Sequence, residues 1–309
     1  MDRTSQCNAG KNIMKLLSYA LDQSMEPRLG LYLKNRVVDV LRISIWLSKE
    51  AVIIDFIDLP TSMELLLKNW TTSIKILEKI EGNLQIIPLN AITIEGKQAT
   101  FHLDDVHIFP PLPQPPTFRI FSGMENIDKD DLNFYYTNPT SLMGYCENIR
   151  KPHYVNDLSA EIELVCFITK RDDKAEIAGI SYVLNWYDSH NLASPKSYDF
   201  ATSIGPFLYV DNASGIEISI AINENELPKI VVSNPRETFK KMIKFSGEYL
   251  SLNSGDVLST GSIAPHLKLS GKCGDKIQCQ SSQLGDIKIE IEPQNPPKSK
   301  FDLEEDKDQ

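Results

Sequence analysis

Residues 160–168 read Ala-Glu-Ile-Glu-Leu-Val-Cys-Phe-Ile, an alternation of polar and apolar side chains that is typical of a β-strand. Successive side chains of a strand point to opposite faces, so Glu161 and Glu163 share one face while Ile162 and Leu164 share the other. Two carboxylates one pleat apart can bind a hard divalent cation such as Mg²⁺, which prefers oxygen ligands. A solvated strand face is the alternative, and the spacing alone does not decide between them.

Strands also dominate on both sides of this stretch. Apolar and β-branched runs bounded by turn residues predict strands at 14–19, 29–33, 37–40, 177–185, 207–210, 216–223, 257–259 and 287–291, with a further piece within 51–57. Two helices are predicted, one over 63–80 that is capped by Thr61 or Ser62, and one that begins at Pro235. This pattern predicts a β-rich α+β fold.

Five prolines lie in the run 107–116, which therefore cannot continue a helix or a central strand. We interpret this run as a stiff linker between a small N-terminal domain, 1–106, and a larger domain, 117–292. A polyproline ligand for an SH3-type partner is the alternative interpretation. The charged tail at 293–309 is expected to be loose.

Composition and charge exclude several classes of protein. The 309 residues include 32 Lys and Arg against 42 Asp and Glu, a formal net charge of −10, which argues against nucleic acid or a membrane surface as partner. The most apolar region, 37–59, is interrupted by charged residues and predicts no transmembrane span. The amino terminus does not read as a secretory signal, and the five cysteines include no CxxC pair. We therefore expect a cytoplasmic protein with reduced thiols.

From the proline-rich run onward, the order of several short motifs resembles the fumarylacetoacetate hydrolase family. The resemblance covers roughly residues 107–292. One motif, Leu-Asn-Ser-Gly-Asp-Val-Leu-Ser-Thr-Gly-Ser at 252–262, is similar to the family signature L-x-P-G-D-[VIL]-[IL]-x-[TS]-G-T and is the most specific of them. The others are Phe-Tyr-Tyr at 134–136, Pro-Thr-Ser-Leu-Met-Gly at 139–144, Lys-Pro at 151–152, Glu-Ile-Glu-Leu at 161–164, Gly-Ile-Ser-Tyr-Val-Leu-Asn at 179–185, Lys-Ser-Tyr-Asp-Phe at 196–200 and Ile-Gly-Pro at 204–206.

The resemblance implies a mixed β-roll or β-sandwich C-terminal domain behind a small β/α N-terminal domain, assembled as a homodimer. It also implies a Mg²⁺, Ca²⁺ or Mn²⁺ site that holds the enolate or carboxylate oxygens of a 1,3-dicarbonyl or 2-oxo acid. Breaking a C–C bond beside a carbonyl leaves a carbanion, and a metal that binds the resulting enolate lowers its energy. The expected partner is thus a small carbonyl or carboxylate substrate.

The resemblance assigns metal ligands to particular residues. Glu161 and Glu163 match two glutamate ligands of the family. A third ligand is the aspartate of an N-D-x-S motif, and the motif alignment puts Trp186 at this position, in contact with substrate. Asp188 could replace the missing ligand after a slip along the strand, although an odd shift would reverse its facing. Asn133 stands where some members carry a further aspartate and could offer an amide oxygen.

The resemblance also assigns the acid–base groups. Lys196 matches the family's site lysine, which could stabilise an oxyanion or donate a proton, and His190 is a candidate base. Hydrolytic members carry a catalytic histidine where this chain has Thr140. The segment 123–129, which corresponds to a lid in smaller members, contains no histidine. The usual water-activating base is therefore missing.

Substrate recognition is assigned to Tyr135 and to the turn of Thr260, Gly261 and Ser262, which are expected to bind a carboxylate or carbonyl group.

Three functions remain open. The first is a non-hydrolytic enzyme, with or without a metal, that performs tautomerisation, dehydration, cyclisation or decarboxylation in a specialised pathway. The second is a conventional Mg²⁺-dependent C–C hydrolase of the acylpyruvase or fumarylacetoacetase type. The third is a catalytically silent paralogue that binds a small acid or a partner subunit.

Overall fold

A computed structural model of the chain describes residues 13–49, 59–90, 92–122, 132–192, 197–210, 215–265 and 269–292. Four features named above lie outside these ranges: the strand predicted within 51–57, the segment 123–129, Lys196 and the tail 293–309. The helices in the described ranges are α1 (Val40–Lys49), α2 (Met63–Lys68), α3 (Trp70–Leu84) and α4 (Pro235–Tyr249). None of them combines the length and apolar character needed to cross a bilayer.

Strands make up most of the regular structure, which confirms the β-rich α+β class. They are β1 (Met14–Ala20), β2 (Arg28–Leu33), β3 (Arg36–Asp39), β4 (Thr93–Ile94), β5 (Lys97–Gln98), β6 (Thr100–His102), β7 (His107–Ile108), β8 (Phe118–Phe121), β9 (Phe134–Tyr136), β10 (Leu142–Met143), β11 (Ile149–Arg150), β12 (Leu158–Arg171), β13 (Lys174–Asp188), β14 (Thr202–Ile204), β15 (Leu208–Val210), β16 (Gly215–Ile222), β17 (Asn225–Glu226), β18 (Ile230–Ser233), β19 (Val257–Ser262), β20 (Leu269–Ser270), β21 (Lys276–Gln280) and β22 (Ile287–Glu292).

A large mixed sheet runs through the molecule in the order β6-β3-β2-β1-β15-β13-β12-β19-β8-β9. A smaller sheet, in the order β11-β22-β21-β16-β17 with β18 on β16, packs against it together with α4. The N-terminal strands belong to the large sheet, because β1 pairs with β2 on one side and with β15 on the other. Both chain segments thus contribute to one sheet, and a domain boundary at 107–116 stays a prediction.

The proline-rich run is tied to the body of the protein. Its first residues form β7, which pairs with β1. The buried carbonyl of Pro111 accepts a hydrogen bond of 2.7 Å from the Ser18 hydroxyl, and the Phe109 amide donates to the Ser18 carbonyl. These bonds anchor the run on the edge of the N-terminal strands.

The hairpin of β12 and β13 is the centre of the large sheet. Its strands pair over their whole length, from Leu158 opposite Asp188 to Arg171 opposite Lys174. The turn is made by Asp172 and Asp173, both in the left-handed region, as a two-residue hairpin with right-handed strand twist requires. The two strands predicted here are confirmed and are longer than predicted.

Both faces of this hairpin are buried, each in a different core. Ile162, Leu164 and Cys166 pack toward the smaller sheet and α4. Val165 and Phe167 pack toward α1, α2 and α3 of the N-terminal part. The glutamates of β12 lie on the second face, so the interpretation of a solvated strand face is wrong for Glu163, which has no exposed surface.

The helical N-terminal region departs from two predictions. Val40 was predicted as strand but begins α1, because Val40, Ile43 and Leu47 recur at helical spacing and bury one face. The helix predicted over 63–80 is two helices divided at Asn69. Ser62 caps the first of them, accepting a hydrogen bond from the Leu65 amide, which confirms the predicted cap.

A buried carboxylate joins the N-terminal elements. Asp39 is 1% exposed and accepts hydrogen bonds from the Tyr19 hydroxyl at 2.6 Å, the Arg28 Nε at 2.8 Å and the Arg42 amide at 2.8 Å. These bonds connect β1, β2, β3 and the first turn of α1. Since a buried charge is tolerated only when it is paired and hydrogen-bonded, the cluster holds these elements in one arrangement.

We expect Asp39→Ala to lower the free energy of unfolding by roughly 3–5 kcal/mol, because it leaves Arg28 and Tyr19 without their partner. Tyr19→Phe removes one hydrogen bond and should cost only about 1 kcal/mol. Urea unfolding followed by circular dichroism measures both. A loss below about 1 kcal/mol for Asp39→Ala would show that the cluster does not hold the N-terminal part together.

Candidate functional site

Polar side chains from several strands converge on one face of the central hairpin. Glu161 of β12 is directly opposite Asn185 of β13, and Glu163 lies one pleat further along β12. Ser259 of β19 reaches the same place from the other side of β12. Glu161 is partly exposed, whereas Glu163 is fully buried. The pair therefore has an accessible carboxylate and an interior one.

Glu163 is held by two hydrogen-bond donors. The Ser259 hydroxyl donates to its Oε2, and the Asn185 Nδ2 donates to its Oε1 at 3.1 Å. Burial raises the pKa of Glu163 to about 7, with a further upward contribution from Glu161, although both hydrogen bonds favour the ionised form. Burial also raises the pKa of Glu161.

A bulge in β19 forms the floor next to these carboxylates. Ser259 is opposite Val165 and Ser262 is opposite Glu163, so β19 has one extra residue here. Gly261 takes a φ of 65°, a left-handed conformation that favours glycine. Its amide donates to the Ser259 hydroxyl at 3.3 Å. The regular pairing of Ser259 with Val165 already puts Ser259 on the face of Glu163, and the Gly261 amide in the bulge helps to orient its hydroxyl.

Thr260, which belongs to the predicted recognition turn, forms hydrogen bonds with backbone groups of the protein. Its hydroxyl accepts a hydrogen bond from the Leu164 amide and donates to the Gly261 carbonyl at 2.7 Å. Gly261 and Ser262 lie next to Glu163 through the bulge. The structure therefore brings the turn to the glutamates, and its role in binding substrate stays a prediction.

Three tyrosines surround the accessible side of the pair. The Tyr135 phenol lies near Glu163 and Asn185. Burial, together with the negative charge of Glu163, raises its pKa well above the ordinary range, so this phenol keeps its proton and can donate a hydrogen bond. Tyr187 and Tyr198 stack with ring centroids 5.1 Å apart and an interplanar angle of 16°. The pKa of Tyr198 is raised to about 12 by burial and by Glu161.

The register of β13 corrects the motif alignment. Trp186 lies opposite Ala160, so it occupies the face of the sheet that packs toward the smaller sheet, and its Nε1 donates to Ser203 at 3.1 Å. The residue in line with the glutamates is Asn185, one position earlier. Since neighbours on a strand face opposite ways, Trp186 does not reach the carboxylates.

Two more predicted site residues, Asp188 at the end of β13 and His190 after it, also lie elsewhere. Asp188 shares the facing of Trp186 and accepts hydrogen bonds from the amides of Asn156, Asp157 and His190, which lower its pKa against the opposing effect of burial. His190 is exposed in the turn that follows. The structure therefore does not bring Asp188 or His190 to the glutamates.

The predicted residues before the hairpin have local roles. The Asn133 side chain is exposed and accepts a hydrogen bond from the Phe134 amide at 2.8 Å. Thr140 is exposed, and its hydroxyl donates to Asn138 Oδ1 at 2.7 Å. Lys196 lies outside the described residues, so its role stays a prediction.

The side chains at this site can be compared with the ligands that a divalent cation requires. Two carboxylates and an amide oxygen are suitable ligand types. However, Asn185 presents its amino group to Glu163, and Ser259 donates to the other oxygen. In the described part of the chain, no three His, Cys, Asp or Glu side chains form a group that could hold a metal ion. The arrangement therefore does not fit a resident divalent cation.

Comparisons with known proteins agree with the motif resemblance. A family model described as "Fumarylacetoacetate (FAA) hydrolase C-terminal" matches residues 122–292, which is more than half of the chain. No curated protein sequence matches.

Solved structures show the same fold at low sequence identity. A maleylpyruvate hydrolase from Sphingobium sp. SYK-6 is 17% identical with a TM-score of 0.64, covering 91% of this chain and all of its own. The same values apply to that enzyme in complex with manganese(II) ion and pyruvate. A probable 2-hydroxyhepta-2,4-diene-1,7-dioate isomerase from Mycobacterium abscessus is also 17% identical, with a TM-score of 0.63, covering 92% of this chain and all of its own.

Sequence reasoning missed four residues of this cluster, namely Asn185, Ser259, Tyr187 and Tyr198. Regular pairing back from the turn at 172–173 would set Leu184 opposite Glu161. A register shift between Phe167 and Ile168 brings Asn185 there instead, so the facing of Asn185 and Tyr187 depends on a bulge that the alternation of side chains does not predict. Ser259 and Tyr198 come from distant parts of the chain, and their approach depends on the tertiary fold.

The raised pKa of Glu163 predicts a pH dependence of stability. In the absence of metal, the folded protein binds this proton more tightly than the unfolded chain, so the contribution is complete below the unfolded pKa and is lost as the pH rises through about 7. We expect the unfolding free energy of wild type, relative to Glu163→Gln, to fall by about 2–3 kcal/mol between about pH 4.5 and pH 8. Urea unfolding of both proteins with a chelator measures the difference. A difference that does not change with pH would contradict it.

The position of Asn185 predicts the effect of a third carboxylate. In Asn185→Asp the side chain can no longer donate to Glu163, and three carboxylates face one another, so affinity for Mn²⁺ should increase roughly tenfold or more over wild type. Isothermal titration with Mn²⁺ measures the gain, which Glu161→Gln in the same variant should abolish. Equal affinity in wild type and Asn185→Asp would show that Asn185 is not at a ligand position.

Proposed function

The chain belongs to the fumarylacetoacetate hydrolase family, and we propose that it is an enzyme that moves a proton between carbon and oxygen of an enolisable 2-oxo acid or β-dicarbonyl compound. The proposal is carried by the cluster of Glu161, Glu163, Asn185 and Tyr135 on one face of the hairpin. Its relatives in the solved structures include a hydrolase and an isomerase, and the complex of the hydrolase contains pyruvate.

The cluster offers a base and a donor on the accessible side. Glu161 is the partly exposed carboxylate, and it takes the proton from the carbon next to the substrate carbonyl. The Tyr135 hydroxyl, which keeps its proton at neutral pH, donates a hydrogen bond to the oxygen where negative charge develops. Return of the proton from Glu161 to that oxygen completes the keto-to-enol conversion, so no atoms are gained or lost.

The interior groups keep this arrangement in place. Glu163 accepts from Ser259 and Asn185, and Asn185 also lies near the Tyr135 phenol. A fully buried carboxylate costs several kcal/mol in order of magnitude unless it is hydrogen-bonded or neutralised. The interior cluster alone would also suit a structural role, so the support for an enzyme over a silent paralogue comes from the accessible Glu161 beside it.

Hydrolysis is less well supported. It requires a group that activates water, and hydrolytic members of the family carry a histidine where Thr140 stands. The Thr140 hydroxyl is exposed and bonded to Asn138. Lys196, which matches the family's lysine, is proposed as a second proton donor. The homodimer and the cytoplasmic location stay predictions, whereas the hydrogen bonds that Asn185 and Ser259 donate to Glu163 argue against a resident Mg²⁺.

Exchange of substrate protons with solvent tests this proposal. In D₂O, the wild-type protein should accelerate loss of the C3 proton signal of acetylpyruvate, and Glu161→Gln should reduce the acceleration roughly 10²-fold or more, because it removes the base. Proton NMR follows the signal, and the same spectra report acetate and pyruvate if the compound is hydrolysed.

Glu217→Gln is the matched control, since Glu217 is an exposed strand glutamate paired with Lys229 far along the chain from the cluster. It should exchange protons at the wild-type rate. Exchange by Glu161→Gln at the wild-type rate would refute Glu161 as the base, and release of acetate and pyruvate would favour the hydrolase.

A further inference from the structure

Tyr187 belongs to the same face as the carboxylates. It lies two residues after Asn185 on β13 and opposite Ser159 on β12, so its ring stands one pleat beyond Glu161. The Tyr187 ring is partly exposed. An aromatic side chain at this point adds a flat apolar surface directly beside the group proposed as the base.

Tyr198 extends this surface and is held in position. Its ring is nearly parallel to that of Tyr187, and its carbonyl accepts a hydrogen bond from the Thr137 hydroxyl at 3.3 Å. The next carbonyl, of Asp199, accepts from the Asn138 Nδ2 at 3.2 Å. Two side-chain donors thus fix the backbone of this segment against the chain that follows β9.

Tyr135 stands at an angle to the stacked pair of Tyr187 and Tyr198, so the three rings form an aromatic corner. Its ring centroid is 6.1 Å from that of Tyr198, and the two rings are inclined at 57°. Burial raises the pKa of both Tyr187 and Tyr198, and Glu161 raises it further, which agrees with the position of Glu161 next to the stacked pair. An aromatic corner with a carboxylate at its base and a phenol donor on one side suits a planar group conjugated to a carbonyl.

We propose that Tyr187 and Tyr198 form a subsite for an aryl group, so that the preferred substrate is an aroylpyruvate rather than a short aliphatic acylpyruvate. This inference rests on the proposed function and names the substituent of its substrate. Aromatic rings prefer offset-stacked or edge-to-face contacts with other rings, and a pair contributes about 0.5–1.5 kcal/mol beyond its buried area. A methyl group in the same place contacts much less of either tyrosine.

A comparison of two substrates tests the subsite. We expect kcat/KM for solvent proton exchange to be roughly tenfold or more higher for benzoylpyruvate than for acetylpyruvate, after correction for their rates without protein. Tyr187→Leu and Tyr198→Leu should each bring this ratio close to one, mainly by slowing benzoylpyruvate. Tyr187→Phe and Tyr198→Phe keep the rings and should keep the ratio.

Tyr249→Leu is the control, because Tyr249 is an exposed tyrosine at the end of α4 and its ring contacts Phe134 and Phe245. Equal ratios in wild type and in the leucine variants would overturn the subsite while leaving the proposed function intact. If neither compound is exchanged, the proposed function fails, and isothermal titration decides the subsite separately. Binding of benzoylpyruvate that is no tighter than that of acetylpyruvate, or is unchanged by Tyr187→Leu, would then overturn it.

Discussion

The burial of the Glu163 carboxylate within the central sheet constrains everything around it. A charge in this position is tolerated only with donors on its oxygens, and the fold supplies them from two neighbouring strands, Ser259 on β19 and Asn185 on β13. The pairing of β19 with β12 brings Ser259 to Glu163, and the register of the hairpin brings Asn185 to it. At this point of the sheet, the packing, the backbone conformation and the hydrogen bonding of buried polar groups all accommodate the Glu163 carboxylate.

The same constraint distinguishes this site from the metal centre that the family resemblance implies. An aspartate at position 185 would add a third carboxylate and favour a divalent cation, whereas asparagine donates a hydrogen bond to Glu163. Asparagine in place of an aspartate ligand removes one negative charge. In addition, its amino group occupies the position of a metal ligand. The chemistry that such a cluster supports best is proton transfer by Glu161 with Tyr135 as hydrogen-bond donor, and the tyrosines around Glu161 point to the shape of the substrate.

Sequence reasoning predicted the elements of this fold better than it predicted their arrangement. The alternation at 160–168 predicted the strand that carries Glu161 and Glu163, and the turn residues predicted most of its neighbours. Alternation does not reveal whether the polar face meets solvent or a second core, and here the core formed with the N-terminal helices covers the Val165 and Phe167 end of the face while Glu161 stays partly exposed. The family motif, matched at its asparagine, predicts Trp186 at the ligand position, whereas the pairing of β12 with β13 decides which residue faces the glutamates and places Asn185 there.

We propose that the substrate reacts on the face shared by Glu161, Glu163 and Asn185. A crystal structure with oxalate, a planar analogue of the pyruvate enolate, tests it most directly. We expect oxalate to bind with one oxygen within hydrogen-bonding distance of the Tyr135 hydroxyl and with its plane beside the Glu161 carboxylate. Oxalate bound on the opposite face of the hairpin, or nowhere near these residues at saturating concentration, would contradict it.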